Sequence, residues 1–580
     1  MDQLLNSFGC LSIDSTLDKF NKLNSQWSHE FALSESIERK QKLMDIIFTH
    51  LRDPSYKSHF DVFLCTLRIL AREKNGLETL FTAERVETIL ELAQLTGKCS
   101  MVIGDKDSFN AKVINEAQKC LCNLVFNSIA IGRILCRYGV IDGIMLRLKM
   151  FREPGLPIEV KYFDLRIMFI ITALCAELRP KIRDEHHGFV YLMEAIDVML
   201  KEAEEPGQQP SRKSQRKRKV KDSNSKNVTS KSESTGQKAG GESSSSTTSQ
   251  FFNSALVDLC CEALKVLFNL TVAYERGNID EEEEAHFLRL VGILHDLLLT
   301  DCETKEKRRE LLTHTVNLLT NVPPSCFEEL LVSIEEIGHI DNPKYEYEAM
   351  NVEAIVVLLE FLDKRLEKQD PSKNIHESLS PILTCLTSMA QASRIIRKYL
   401  RQQILPPLTR KDVQKRPEEG NSIRNRLVKL MTNSNTDIKE MVGGFLFVLC
   451  KENAQRMIKY AGYGNCAGFF ANRGLLLAGK TNTSYSSDSE DSDTEEYSKL
   501  KEKINPVTGC YEPLKVNPME GMTEEQKEHE AMKLVNMMDR LSRAGVVQPC
   551  RVGNDGKPQP ISHLLELQEA MDDNPKEQKE

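Results

Sequence analysis

One short pattern recurs along the chain and restricts its architecture more than any other feature. Ala117-Gln-Lys-Cys-Leu-Cys-Asn123-Leu, Ala263-Leu-Lys-Val-Leu-Phe-Asn269-Leu and Thr315-Val-Asn-Leu-Leu-Thr-Asn321-Val each carry an Asn with apolar or Cys residues nine, three and two places before it and one place after it. Spacings of this kind put the apolar positions on one helical face. Asn269 and Asn321 lie 52 residues apart; Asn123 and Asn269 lie 146 apart, or 101 once a 45-residue low-complexity segment is set aside. Weaker copies place Arg72, Thr172, Ser388 and Thr432 at the Asn position. Helical repeats near this length predict an all-α chain, a right-handed solenoid of the armadillo or HEAT type. Nearly every other segment, such as Ile37–Arg52, Val352–Leu366 and Ser378–Leu400, shows the same helical periodicity, and alternating strand patterns are essentially absent.

At 580 residues the chain is too long for one compact core. With 77 basic against 85 acidic residues, the formal charge of −8 argues against a protein that coats nucleic acid. The first residues, MDQLLNSFGC, carry no basic secretory n-region, and apolar runs such as Ile167–Cys175 are too short for an integral membrane segment. The expectation is a cytosolic protein whose 16 cysteines are reduced.

Two segments break the helical pattern. Pro206–Gln250 holds twelve Ser, ten Lys or Arg and three acids, with no aromatic, Leu or Ile, so it is expected to be a disordered basic loop. Within it, Arg216-Lys-Arg-Lys219 looks like a nuclear import signal, but in such a loop it reads first as a solvated charge run. Asp488–Glu496 places six acids among Ser and Thr. Beyond it, Thr523–Arg543 reads as an amphipathic helix that opens on a Thr523/Gln526 capping box. Its apolar stripe is Ala531, Leu534, Val535, Met538 and Leu541. The division expected is 1–205 for N-terminal repeats, 206–250 for the basic loop and 251–478 for C-terminal repeats. It continues with 479–516 for an acidic linker, 517–545 for the amphipathic helix and 546–580 for a flexible tail.

No spacing suits catalysis or a metal. Cys120 and Cys122 are two apart, Cys260 and Cys261 adjacent, and neither pair has the partners of a structural zinc site; they read as small buried residues. Gly474–Thr481 matches G-x-x-x-x-G-K-[ST] letter for letter. A phosphate loop needs a strand before it and a helix N-terminus after it. Here a turn-like Gly462–Asn465 lies upstream and an acidic Ser-rich tract downstream, so the match is read as coincidence and the chain as no enzyme, without cofactor.

The Asn register has a consequence for binding. In a solenoid one helix per repeat lines the concave face, so a polar residue repeated at one place becomes a ladder. One turn earlier stand Arg68, Lys119 and Lys265. The face is therefore expected to be polar and partly cationic, suited to a peptide with carboxylates. The competing role for each Asn is to bridge neighbouring helices.

Several stretches together resemble the synembryn family, the resistance-to-inhibitors-of-cholinesterase proteins. They are Leu67–Arg72, Lys119–Leu124, Tyr162–Arg166, Val266–Leu270, Gln403–Leu408, Arg424–Thr432, Lys459–Asn465 and, the most specific, Asn517–Leu534. The resemblance spans roughly the whole chain. It implies a cytosolic chaperone and guanine-nucleotide exchange factor for heterotrimeric G-protein α subunits, GDP-bound or nucleotide-free and without βγ. It also implies a monomer recruited at times to the cell cortex in receptor signalling. By resemblance, Arg68, Arg72 and Asn123 hold the C-terminal helix of the α subunit; the register extends the site to Lys119, Asn269 and Asn321. Leu534, Val535, Met538 and Leu541 would make a second contact with the α subunit's nucleotide domain. The resemblance also points to Ser487 and Ser492 as targets of an acidophilic kinase of the casein-kinase-II type, with Ser489 and Thr494 eligible by local sequence. The competing function is an armadillo adaptor or import receptor without exchange activity. Such ladders typically carry Trp, and the one Trp here, Trp27, precedes the ladder.

Overall fold

The computed structural model describes residues 12–30, 35–96, 110–153, 155–203, 251–272, 279–337, 342–367, 374–476, 493–512, 519–553 and 555–561. Almost all of their regular structure is helical, and the strands are pieces of two or three residues paired locally. The chain is an all-α helical solenoid and divides into two compact units, 1–341 and 342–580. No helix among the described residues is long and apolar enough to cross a membrane.

In the first unit the helices are α1 (Ile13–Trp27), α2 (Ile37–Arg52), α3 (Phe60–Leu70), α4 (Ala83–Leu92), α5 (Ala111–Asn127) and α6 (Ile129–Arg137). They continue with α7 (Val140–Lys149), α8 (Ile158–Leu174), α9 (Gly188–Glu202), α10 (Ser254–Thr271), α11 (Glu281–Leu299) and α12 (Lys305–Leu319). Side by side, α1, α3, α5, α8, α10 and α12 make one layer, each packed on the next. A second layer runs α4, α6, α7, α9, α11, and each of its members packs on the first. Side-chain caps start the ladder helices: Asn110 for α5, Asn253 for α10 and Thr304 for α12. The apolar face of the repeat is the seam between layers. Leu121, Leu267 and Leu319, two places before each Asn, are fully buried, as are Ala117, Ala263 and Thr315 six places before it. Cutting one of those leucines to Ala would cost about 2–5 kcal/mol. Residues 204–250, which include the expected basic loop, lie outside the described residues; α9 and α10 on either side belong to the same unit and pack together.

The second unit holds α13 (Glu353–Glu367), α14 (Ile375–Ala392), α15 (Arg394–Ile404), α16 (Ile423–Leu430) and α17 (Thr436–Leu449). After them come α18 (Ala454–Ala461), α19 (Tyr463–Arg473), α20 (Glu495–Leu500) and α21 (Glu524–Arg543). Here α14 is central, packed by α13, α15 and α17, and α17 carries α16 and α19 on its other sides. Gly443 permits the last contact: a Cβ there would stand 2.5 Å from the ring of Phe469 on α19. At the far end α21 has no buried residue.

Candidate functional site: a ladder of paired charges

The ladder begins with the Asn rows. Asn269 Nδ2 donates to Phe169 O at 3.3 Å and Thr172 Oγ1 at 3.0 Å; Asn321 Nδ2 donates to Phe268 O and Thr271 Oγ1, both at 3.1 Å. Each Thr hydroxyl in turn donates back to its own helix, to Met168 O and Phe169 O or to Leu267 O and Phe268 O. Two seams therefore carry the same lock, and Thr172 takes the place of Thr271, two residues beyond the Asn row. In α8 the row residue itself is the buried Ile170, a correction of two places to the sequence register. Asn123 makes the equivalent bond one turn lower, donating to Arg68 O at 3.0 Å, while Asn127 donates to Ala71 O and Arg72 O. The carboxamide nitrogens of all three ladder Asn thus bridge neighbouring helices.

Charges stand beside this row in a repeating arrangement. On α5, Glu116 accepts from Arg68 Nε of α3 at 2.8 Å and from Lys119 Nζ at 2.7 Å. On α10, Glu262 accepts from Arg166 of α8 at 3.0 Å and from Lys265 Nζ at 2.6 Å. Both glutamates lie seven places before their Asn, and both lysines four places before it. Aromatic rings sit between the triads: Lys119 is 5.6 Å from the Phe163 centroid, Lys265 is 5.3 Å and Arg166 is 5.7 Å from that of Phe169. Burial works against the Arg68 charge, but Glu116 overcomes it and raises the guanidinium pKa above its usual value. Four cations surround two carboxylates, so these residues keep a positive excess on a half-buried face. Arg166, Glu116 and Glu262 were not among the site residues expected from sequence; their signal was the fixed seven- and four-residue offset from the Asn row.

Arg72 reaches the other way. Its guanidinium donates to Ser28 O at 2.8 Å and Glu30 O at 3.5 Å, closing the segment that follows α1. It lies beyond the C-terminal end of α3, one turn past Arg68.

The amphipathic stripe on α21 is laid out as its spacing predicts. Thr523 and Gln526 form a reciprocal capping box. Leu534 is 58% exposed and Val535 38%; Met538 and Leu541 are half-buried. Leaving such a stripe in water is unfavourable by roughly 25 cal/mol per Å2 of apolar surface relative to covering it.

In the second unit Arg394, Arg397, Lys398, Arg401 and Lys451 line one shallow pocket with Leu449. Of these, Lys398 pairs with Glu348 and Arg397 donates to Ala390 O at 2.9 Å; nearer the end of the unit, Arg424 pairs with Asp412 at 3.2 Å and Arg426 with Asp363 at 2.6 Å. Ser487, Ser489 and Ser492 lie outside the described residues. Thr494 caps α20, accepting from Tyr497 N at 3.1 Å, and its hydroxyl donates to Leu408 O at 2.5 Å. Beside it, Asp493 is held by Lys459 and, at 3.5 Å, by Lys501.

The phosphate-loop match starts where a helix ends. Gly474 adopts φ 70° as the C-cap of α19, its N–H bonded to Ala471 O and that of Leu475 to Phe470 O. That end of a helix presents carbonyls, which repel phosphate. Residues 477–481 of the match lie outside the described residues.

Residues 63–557 match the family model described as guanine nucleotide exchange factor synembryn. Chaperone Ric-8A of Danio rerio is 39% identical over 561 residues, covering 96% of this chain and 95% of that protein. Chaperone Ric-8A of Xenopus tropicalis is 37% identical over 564 residues, with 97% and 96% covered. Chaperone Ric-8 of Drosophila melanogaster is 34% identical over 612 residues, with 98% and 97% covered. With its charged ladder and its terminal amphipathic helix both inside the matched region, the chain belongs to the synembryn family of Ric-8 chaperones and guanine nucleotide exchange factors.

Proposed function

We propose that this protein is a folding chaperone and guanine-nucleotide exchange factor for heterotrimeric G-protein α subunits. It acts by gripping the α subunit's C-terminal helix along the ladder of α3, α5, α8, α10 and α12. The observation that carries the reading is the repeated Arg–Glu–Lys triad with its surplus of cations. An incoming carboxylate meets donors already held in place, so little side-chain entropy is lost on binding. Arg68 and Lys119 receive the terminal carboxylate, Arg68 through a planar fork that donates two parallel bonds. Arg166 and Lys265 receive acidic side chains further along the helix. Arg72 and Asn123 shape that end of the site, and Asn269 and Asn321 hold the seams in register.

Exchange follows from linkage. A protein that binds nucleotide-free α more tightly than loaded α weakens nucleotide binding by the same factor. Holding the C-terminal helix away from the α subunit's sheet loosens the nucleotide loops next to it, and preference for that open state also favours chaperoning. The stripe Leu534, Val535, Met538 and Leu541 makes a second contact with the α subunit's nucleotide domain. The exposure of Leu534 and Val535 supports this over docking back onto the protein's own helices.

Phosphorylation of Ser487 and Ser492 by an acidophilic kinase adds about −1.5 to −2 charge each. Arg394, Arg397, Lys398 and Arg401, gathered with Lys451, offer a receiving surface. The protein works as a monomer in the cytoplasm, recruited to the cell cortex where its partner sits.

The test is release of labelled GDP from a purified α subunit with and without this protein. Faster release supports exchange activity; binding without faster release supports the adaptor reading instead.

A further inference from the structure

We propose that Cys261, Glu310 and His314 form a zinc site that clamps α10 to α12. Their donor atoms, a thiol sulfur, a carboxylate oxygen and an imidazole nitrogen, all lie within 4.8 Å of one another. Glu310 and His314 are four residues apart on α12 and so share a face. Cys261 comes from α10, which packs on α12. Cys261 is 1% exposed, and its two companions are half-buried. Tetrahedral zinc with ligands at about 2.0–2.3 Å keeps its donors about 3.3–3.8 Å apart, so the three close on the ion by side-chain adjustments of about an ångström. Sulfur with imidazole nitrogen selects a borderline-soft ion such as zinc, whereas calcium and magnesium require oxygen donors.

A break in the ladder pattern supports the assignment independently. His314 stands seven places before Asn321, where the two earlier seams have Glu116 and Glu262. Those glutamates each neutralise an Arg and a Lys, but His314 does not do this for Lys265. Lys265 turns to Glu262 instead, at 2.6 Å. The third seam's interhelical ion pair is instead Lys307 of α12 with Asp258 of α10, and three metal donors stand where the earlier seams have their Arg–Glu–Lys clasp.

The protonation states fit a metal that enters by displacing one proton. Burial, with Lys265 nearby, lowers the His314 pKa to about 4, so its imidazole is neutral at pH 7 and has a lone pair to give. Burial raises the Cys261 pKa well above the usual thiol range, so the thiol is protonated until metal arrives. Zinc binding breaks the S–H bond, forms Zn–S, and releases the proton to solvent. Thiolate, carboxylate and neutral imidazole then balance the two positive charges of the ion. Lys307, which holds Glu310 at 3.0 Å, also holds Asp258 and keeps that partner when Glu310 turns to the metal. Three protein ligands leave a fourth position, which the half-exposed Glu310 and His314 place toward solvent.

The test uses the full chain, stripped with chelator and desalted, and titrated with zinc against a chromophoric zinc indicator. One zinc per chain is expected, with affinity lowered at least about tenfold in Cys261→Ser, Glu310→Gln and His314→Gln. Cobalt(II) in place of zinc reports the ligand: a thiolate-to-cobalt charge-transfer band is expected in the near ultraviolet and should vanish in Cys261→Ser. The half-exposed Glu310→Gln provides the readout if Cys261→Ser fails to fold. Zinc affinity equal in wild type and the folded variants overturns the proposal, as does a cobalt band that survives Cys261→Ser.

Discussion

Glu116 and Glu262 are copies of one another. Each is clasped by an arginine from the preceding ladder helix and by a lysine one turn along its own, at distances between 2.6 and 3.0 Å. They differ in depth: side-chain exposure is 18% for Glu116 and 3% for Glu262. The two acids fix the geometry of four cations, and the account of function rests on those cations.

Arg166→Ala tests the triad directly. Lys265 remains to neutralise Glu262, so the helices should stay folded and the melting temperature should change little. Binding of an α subunit should weaken by about 1 kcal/mol or more, in line with loss of a charge that meets a carboxylate. Arg166→Lys should recover part of that loss. A binding assay that finds Arg166→Ala equal to wild type would remove α8 from the site.

The Asn row makes a different forecast. Asn269→Ala and Asn321→Ala each delete two interhelical hydrogen bonds and leave a small void in the seam. Each should lower stability by about 1–3 kcal/mol, read as a shift in denaturant midpoint. Unchanged midpoints would show that the seams hold without the lock.

Asp412 gives a pH signature in the second unit. Burial pushes its carboxyl pKa up, but hydrogen bonds from the Thr409 hydroxyl and N–H, and the Arg424 charge, outweigh that and leave it below 3.8. A depressed folded pKa stabilises the protein above the unfolded value, and the gain is lost as pH falls through the folded value. Asp412→Asn should therefore melt below wild type at pH 7, and the gap should close below about pH 3.8. A gap that stays constant across that range would contradict the assignment.

Leu534→Asp with Val535→Asp should leave the melting temperature unchanged, because both side chains are exposed on α21. The same pair should weaken α-subunit binding. A lower melting temperature with intact binding would show that the stripe serves the protein's own fold.

Legibility in the sequence followed the chemistry of each feature. The all-α class and the Asn copies were visible because buried leucines and small residues at fixed offsets constrain the seam in every repeat. Thr172 stands two places past the row because the row residue in α8 is Ile170, an apolar side chain with none of the polar character that marks the other rungs. Glu116 and Glu262 keep offsets as regular as those of Lys119 and Lys265, but an acid within a cationic row does not announce itself as part of a binding face. The repeat register places Arg72 in the Asn row but says nothing of its bonds, since the carbonyls it holds, Ser28 O and Glu30 O, lie more than forty residues away and have no side-chain code. The capping box of α21 was legible because it is local, needing only Thr523 and Gln526.

The central claim is that exchange runs through a grip on the α subunit's C-terminal helix. Its most direct test is labelled-GDP release from two purified α subunits, one full-length and one lacking its last residues, each with and without this protein. The account predicts faster release from the full-length subunit and little or none from the truncated one. Equal acceleration of both, or acceleration of neither, would contradict it.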